Sequence, residues 1–458
     1  MKNRRNTIPF GLGTIGRDML YSLVSMFLAV FLTEALSLPD STMWWITAIL
    51  VGSRIFDAVN DPIMGVFVDN TKTKWGKFKP WIAAGAILSG IFTILLFTSF
   101  NMPASKYVYY FAAVYLLWGI SWTINDISYW SMLPALSTDQ KQREKIGAFA
   151  RICANIGLAV AIVGIQPVAN GLGEKTGNLE QAYTTVAIGI VILMVLGQCI
   201  TLFGVKEPKN IYKQEKATTL KGMVKAIFKN DQLLFVAISM SLFMIGYVTT
   251  TSFGVYFFKY AFKNEGLYPI FGGIVILTQI IALSLFPLFS KRYNRKQLYK
   301  FGTVLVVIGY IIFFFAPMNM IYIGAAGLIL FFGQAFIQLL MLMFLADTVE
   351  YGQWKLGKRN ESVTFALQPF INKIGGAIAS GIVLATAIIS GINSAETVND
   401  VTDQGLLIMK VAMLVIPLIF ILAGYAVYRA KFKIDGKMYK EILADLQERG
   451  DINLDEQR

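Results

Sequence analysis

At least eight charged side chains stand inside apolar stretches of this chain, among them Asp18, Asp57, Asp61 and Asp126, with Arg17, Arg54, Arg151 and Lys373. A charge near a bilayer centre costs at least about 2.5–3.5 kcal/mol on insertion scales. Idle buried ion pairs contribute little to stability, so a set of equal and opposite charges at this depth is expected to face a shared polar cavity. Spacing sharpens the reading. Arg54, Asp57, Asn60 and Asp61 recur at helical intervals, which puts the two carboxylates one turn apart on one face with the amide beside them. Such a group in low dielectric holds either a proton or a cation, and oxygen ligands suit a hard cation such as Na+. The plain alternative is that Arg54 neutralises Asp57. Pro62 follows directly and is expected to loosen the helix and free carbonyls there.

A second constellation is Trp122, Thr123, Asp126 and Trp130. On a helix Trp122, Asp126 and Trp130 share one face. A carboxylate flanked by indoles suits a sugar: the acid accepts from vicinal hydroxyls and the flat rings cover the apolar face of a pyranose. The alternative is an aromatic packing seam with a structural Asp. Arg17-Asp18 sets a donor beside an acceptor, and Arg151 and Lys373 are further donors able to neutralise the acids or meet hydroxyls. Absences narrow the chemistry. The chain has no histidine, which excludes imidazole proton relays and His-ligated metals. It contains neither a Walker loop nor a nucleophile elbow. No enzyme and no cofactor are expected.

The elements that position these residues follow from composition. Of the 458 residues 55% are hydrophobic and 15% charged, with mean hydropathy +0.58, against roughly 25% charged in soluble domains. The apolar residues arrive in blocks of about 20 or more, the length of a membrane-crossing helix; barrel strands are about half as long and alternate strictly. Spans are expected near 10–35, 43–68, 80–100, 107–136, 146–170 and 181–204, then near 231–258, 266–290, 301–318, 321–348, 362–390 and 405–429. With the N-terminus inside, the inner segments hold 32 of the 41 Lys and Arg, while the outer loops hold only Lys106, Lys175, Lys259 and Lys263. Positive residues mark cytoplasmic loops, so both termini are expected there. The net charge of +13 therefore reads as topology, not nucleic-acid binding. The basic start is an uncleaved first span rather than a signal peptide. Cys153 and Cys199 lie within apolar blocks and make no disulfide framework. The expected organisation is a six-helix bundle over 1–204, a lysine-rich cytoplasmic loop over 205–230 with a short interfacial helix near 222–229, a second bundle over 231–429, and a polar cytoplasmic tail over 430–458. Matching basic joints, Lys72 to Lys79 and Lys291 to Lys296, suggest a transporter built from repeats with its site between the halves.

Several stretches resemble the glycoside–pentoside–hexuronide:cation symporters, the melibiose-permease branch of the major facilitator superfamily. They are Gly11-Leu-Gly-Thr-Ile-Gly-Arg-Asp18, Arg54-Ile-Phe-Asp-Ala-Val-Asn-Asp-Pro-Ile-Met-Gly65, Trp75-Gly-Lys-Phe-Lys-Pro-Trp81, Leu117-Trp-Gly-Ile-Ser-Trp-Thr-Ile-Asn-Asp126 with Trp130, Arg151, Ala346-Asp-Thr-Val-Glu-Tyr-Gly352 and Asn372-Lys373. The resemblance implies an all-α integral membrane protein of twelve transmembrane helices in two six-helix bundles, working by alternating access. It implies that Asp57, Asn60, Asp61 and Thr123 hold the coupling cation, with Asp57 and Asp61 the carboxylates on Na+ (Li+ or H+ in its place). It implies that Asp18, Asp126, Trp130 and Arg151 contact the sugar, with Arg17, Trp122, Gln368 and Lys373 nearby, and that Asp69 and the basic loop after it form an inner gate. The chain departs from the melibiose permeases at Arg17, where they have Lys, at Trp122, where they have Tyr, and at Ser128, where they have Pro, so melibiose is not carried over as substrate. The expected activity is cation-coupled symport of a glycoside or oligosaccharide by a monomer in a bacterial cytoplasmic membrane. A lysolipid transporter on the same fold and a non-transporting sugar sensor are the alternatives.

Overall fold

The computed structural model describes residues 5–207, 227–392 and 397–452; within helices the side chains of residues 40, 54, 55, 58 and 59 lie outside the description, as does most of the segment read as an interfacial helix. The described residues form helices joined by turns and loops, with an isolated bridge between Thr73 and Gly76 and no strand. We number the helices α1 (Thr7–Ala35), α2 (Asp40–Asp69), α3 (Lys79–Leu96), α4 (Ala104–Leu136), α5 (Gln140–Thr176), α6 (Leu179–Gly204), α7 (Asp231–Ala261), α8 (Tyr268–Arg292), α9 (Arg295–Phe315), α10 (Met320–Leu356), α11 (Glu361–Ile389), α12 (Asp403–Lys431) and α13 (Gly436–Glu448). Eleven of them are long and apolar enough to cross a membrane, and the chain is a multi-pass membrane protein. The span expected near 43–68 is α2, which is long enough at 30 residues but is not one of the eleven; it carries Arg54, Asp57 and Asp61.

Helix starts follow local chemistry. Asp139, Asn178, Asn230, Asn319 and Thr402 each accept a backbone N–H at the first turn of the helix they precede, satisfying donors a helix start leaves orphaned. Asn294 and Gln297 form a reciprocal capping box, which starts α9 at Arg295, six residues before the apolar block read from hydropathy. Pro62 does not break α2, which runs on without interruption. π-helical turns interrupt α1 at Leu23–Phe27 and Phe31–Ala35, α7 at Phe257–Ala261 and α12 at Val411–Val415.

The chain divides into two compact units. Among the described residues, the first comprises 5–207, 360–366 and 450–452, and the second 227–359, 367–392 and 397–449. In the first, α1 packs on α5 and α6, α4 on α2 and α3, and α3 on α6. Gly16 brings α1 against the backbone of Met194, and Gly85 brings α3 against the backbone of Asn125; a Cβ at either would lie 2.5 Å from it. In the second unit α7 packs on α12, α10 on α8 and α9, and α9 on α12. The tail contains α13, which lays Tyr439, Ile442 and Leu446 inward and packs on α10. Trp354 Nε1 donates to Asp445 at 2.9 Å.

Candidate functional site

The centre of the first unit is Arg17, which is 1% exposed. Its Nε donates to Asn125 Oδ1 at 2.7 Å and its Nη2 to Asp126 Oδ1 at 2.5 Å. The guanidinium lies over the Tyr129 ring at 4.3 Å and Trp122 at 5.4 Å. Asn125 is held in turn. Its Nδ2 donates to the Ile82 carbonyl at 2.9 Å and to Gln198 Oε1 at 3.2 Å, and Gln198 Nε2 donates to the Gly13 carbonyl at 2.9 Å. Four helices (α1, α3, α4 and α6) thus fix one guanidinium, which pre-organises Asp126. Asp18 is half-buried within the fields of Arg17, Arg151 and Asp126.

The two indoles differ from a matched pair of open platforms. Trp130 is 8% exposed; Arg151 covers its face at 4.6 Å, and Phe10 and Tyr129 meet it edge-on. Trp122 is half-buried, with Tyr21 stacked on it at 5.2 Å. Gln368 and Lys373 lie half-buried on α11, in the second unit.

Asp57 and Asp61 face α4 as two rungs. Thr123 Oγ1 donates to Asp61 Oδ1 at 2.9 Å, and Asp61 is 1% exposed. One turn earlier a Cβ on Gly119 would lie 3.2 Å from Asp57 Oδ1, so glycine there leaves room for the carboxylate. Asn60 Nδ2 is buried with no hydrogen-bond partner among the described atoms. Amide orientation is assigned from such partners; turned over, Asn60 would offer an oxygen. The oxygens of Asp57, Asn60, Asp61 and Thr123 are the donor set that suits a small monovalent cation. Among the described residues no cluster of three His, Cys, Asp or Glu could hold a metal.

Asp69, at the end of α2, accepts the backbone N–H groups of Ser362 and Val363, each at 3.0 Å. These belong to the α11 start, where orphan donors and the helix dipole favour an anion. Lys77 bridges Asp69 at 2.7 Å and Glu361 at 2.9 Å. Burial alone would lower the Lys77 pKa, but the two carboxylates outweigh it and hold the ammonium above the usual lysine range. Glu207 accepts the backbone N–H groups of Lys77 and Phe78; burial raises its pKa despite those bonds.

Of the residues singled out from the sequence, the structure brings Arg17 to Asp126, Thr123 to Asp61 and Asp69 to the α11 start; Asn125, Gln198, Tyr129, Gly119 and Glu207, which touch them or their neighbours, were not singled out. Asn125 and Gln198 are polar residues in apolar blocks, a signal that was available; Gly119 and Glu207 gain meaning only from what they touch.

A family model described as MFS/sugar transport protein matches residues 9–436. The lactose permease of Leuconostoc lactis is 32% identical over 96% of this chain and 71% of its own length. The raffinose carrier protein of Pediococcus pentosaceus is 32% identical over 96% of this chain and 70% of its own. Among solved structures the Escherichia coli fucose:proton symporter superposes with TM-score 0.66 at 13% identity, covering 93% of this chain and 99% of that one. The last likeness is one of fold. These relatives are carriers, not enzymes.

Proposed function

The chain belongs to the MFS/sugar transport protein family, and on that premise we propose that it moves a glycoside or oligosaccharide through the membrane by cation-coupled symport. The observation that carries this is the buried Arg17–Asp126 pair, locked by Asn125 inside membrane-spanning helices beside Asp18, Arg151 and two indoles. Charges held so expensively mark a substrate path. Carboxylates and guanidinium groups together match the donor and acceptor character of sugar hydroxyls. Relatives named for lactose and raffinose support the same class.

In this reading α2 is the twelfth span and both termini are cytoplasmic, as the lysine and arginine bias indicates. The cation, Na+ in preference to Li+ or H+, binds among Asp57, Asn60, Asp61 and Thr123. The Asn60 Nδ2, buried with no partner among the described atoms, and the Thr123–Asp61 contact favour an oxygen-lined ion site. Asp18, Asp126, Trp130 and Arg151 take the sugar, with Arg17 and Trp122 positioning them. Thr123 and Asp126 stand on neighbouring turns of α4, so order at one site is felt at the other. Cation then raises sugar affinity and sugar raises cation affinity by the same factor. The Asp69–Lys77–Glu361 cluster closes the inner side. A lone cation or a lone sugar leaves buried polar groups unsatisfied, which restricts the transition to empty and doubly loaded forms.

The test is binding of galactosides, glucosides, xylosides and glucuronides to purified protein, with and without Na+ at two pH values. A glycoside that binds more tightly with Na+ supports the reading as stated. Binding that follows pH and ignores Na+ replaces the metal ion by a proton. If no sugar binds under any condition, the sugar assignment fails and lysolipids are the next ligands.

A further inference from the structure

α1 exposes a stripe of residues that does not suit hydrocarbon. Most of its large apolar side chains are buried: Leu20, Leu23 and Phe31 are fully enclosed, and Val24, Leu28 and Leu32 nearly so, while Ile8 and Met26 are about half exposed. One stripe of its open surface runs from half-buried Asp18 through Tyr21, Ser25, Ala29 and Thr33, a helical interval apart at each step and beside the exposed Met26. A stripe containing a carboxylate and hydroxyls lines water rather than hydrocarbon. Tyr21 sits on it one turn beyond Asp18 and is 42% exposed. Its ring is backed by a stack of indoles: Trp122 at 5.2 Å, itself stacked on Trp118 at 6.1 Å. Trp118 is anchored by its Nε1 donating to Thr93 Oγ1 at 3.0 Å. With Trp130 covered by Arg151 and Trp122 backed by Tyr21, Tyr21 is the open aromatic surface of this cluster.

From this geometry we infer that Tyr21 is a carbohydrate-stacking platform for a second ring, and that the substrate is a glycoside of at least two rings. Asp18 and Asp126 hold the hydroxyls of one sugar, and the adjoining ring or aglycone lies along the stripe on Tyr21. One helical turn, about 5.4 Å, matches the step between neighbouring rings of a disaccharide. A rigid, pre-stacked ring loses little freedom on binding. The inference rests on the sugar reading above and adds to it where specificity for the second ring is set.

The experiment compares each two-ring sugar with its one-ring counterpart: lactose with methyl β-galactoside, maltose with methyl α-glucoside, xylobiose with methyl β-xyloside. Affinities are measured by calorimetry on purified wild type, Tyr21→Leu, Tyr21→Phe and Ser25→Trp, with melting temperatures alongside. Tyr21→Leu should weaken the bound disaccharide roughly 2- to 12-fold and leave the methyl glycoside unchanged, while Tyr21→Phe keeps both. Ser25→Trp, one turn further along the stripe, should exclude the disaccharide and admit the methyl glycoside; it tests the same path if Tyr21→Leu does not fold. Equal weakening of both sugars, or of neither, overturns the platform while the symporter reading survives. Wild type that binds none of the six sugars overturns both.

Discussion

In the first unit α1 meets α4 through Arg17, Asn125 and Asp126, whereas in the second α7 meets its neighbours through hydroxyls. Thr250 and Tyr310 share a hydrogen bond at 2.6 Å, Thr250 also donates to the Met413 carbonyl, and Ser239 donates to the Gly424 carbonyl at 2.7 Å. Both units pair their first helix with their sixth and their fourth with their second and third. The second unit keeps its buried ion pairs near helix ends, Arg295 with Asp347 and Arg359 with Glu350. The same helical scaffold therefore serves two purposes. Neutral hydroxyl contacts hold helices together at about 1 kcal/mol each and tolerate replacement. A charged pair in mid-span is less forgiving, because removing one partner strands the other.

The largest contrast should come from breaking each network at its centre. Arg17→Gln leaves Asp126 without its guanidinium and should cost about 3–5 kcal/mol of stability and abolish sugar binding. Thr250→Val should cost about 1 kcal/mol and keep uptake. Melting curves and uptake on the two variants measure this, and equal losses would dissolve the distinction. Next, Asp61→Asn should remove the effect of cation on sugar affinity while sugar still binds in its absence; persistent Na+ stimulation in calorimetry would falsify the assignment of the ion site. Smaller again, Gln198→Leu leaves Asn125 Nδ2 with the Ile82 carbonyl alone and should cost about 1–3 kcal/mol. Its effect on sugar affinity should exceed that of Ser239→Ala, which touches only the hydroxyl network.

Lys77 sharpens the comparison by pH. Its pKa is raised in the folded protein, so its stabilisation is complete below the unfolded value, about 10.4, and is lost only as pH rises through the higher folded value. The melting-temperature gap between wild type and Lys77→Gln should stay constant from pH 7 to about 9.5; a gap that closes within that window would show that the ammonium is not held by Asp69 and Glu361. The smallest effect is expected at Asp435, which caps α13 and faces Lys296 at 3.6 Å on the surface. The cap holds its pKa below the ordinary carboxylate value. Asp435→Asn keeps a capping oxygen and should shift stability by no more than about 0.5 kcal/mol, measured by melting above pH 5.

The order and approximate limits of the helices were legible because hydropathy and capping are local properties of the chain. So were the mid-span charges, since a charge in an apolar block is conspicuous wherever the chain goes. Spacing on one helix also gave the shared face of Asp57 and Asp61 correctly. Partner choice was not legible. Arg17 is next to Asp18 in sequence but bonds Asn125, 108 residues away, and Asp126 beyond it, because helix packing, set by Gly16 and Gly85, decides which side chains come within reach. Trp122 and Trp130 share a face by periodicity, yet Arg151 covers one and Tyr21 backs the other. Pro62 carries a local instruction to loosen α2 that the packed helix overrides. The sequence by itself determined which residues would be costly to bury; the tertiary structure decided what each of them holds, since helical periodicity fixes directions around one axis and only packing fixes distances between axes.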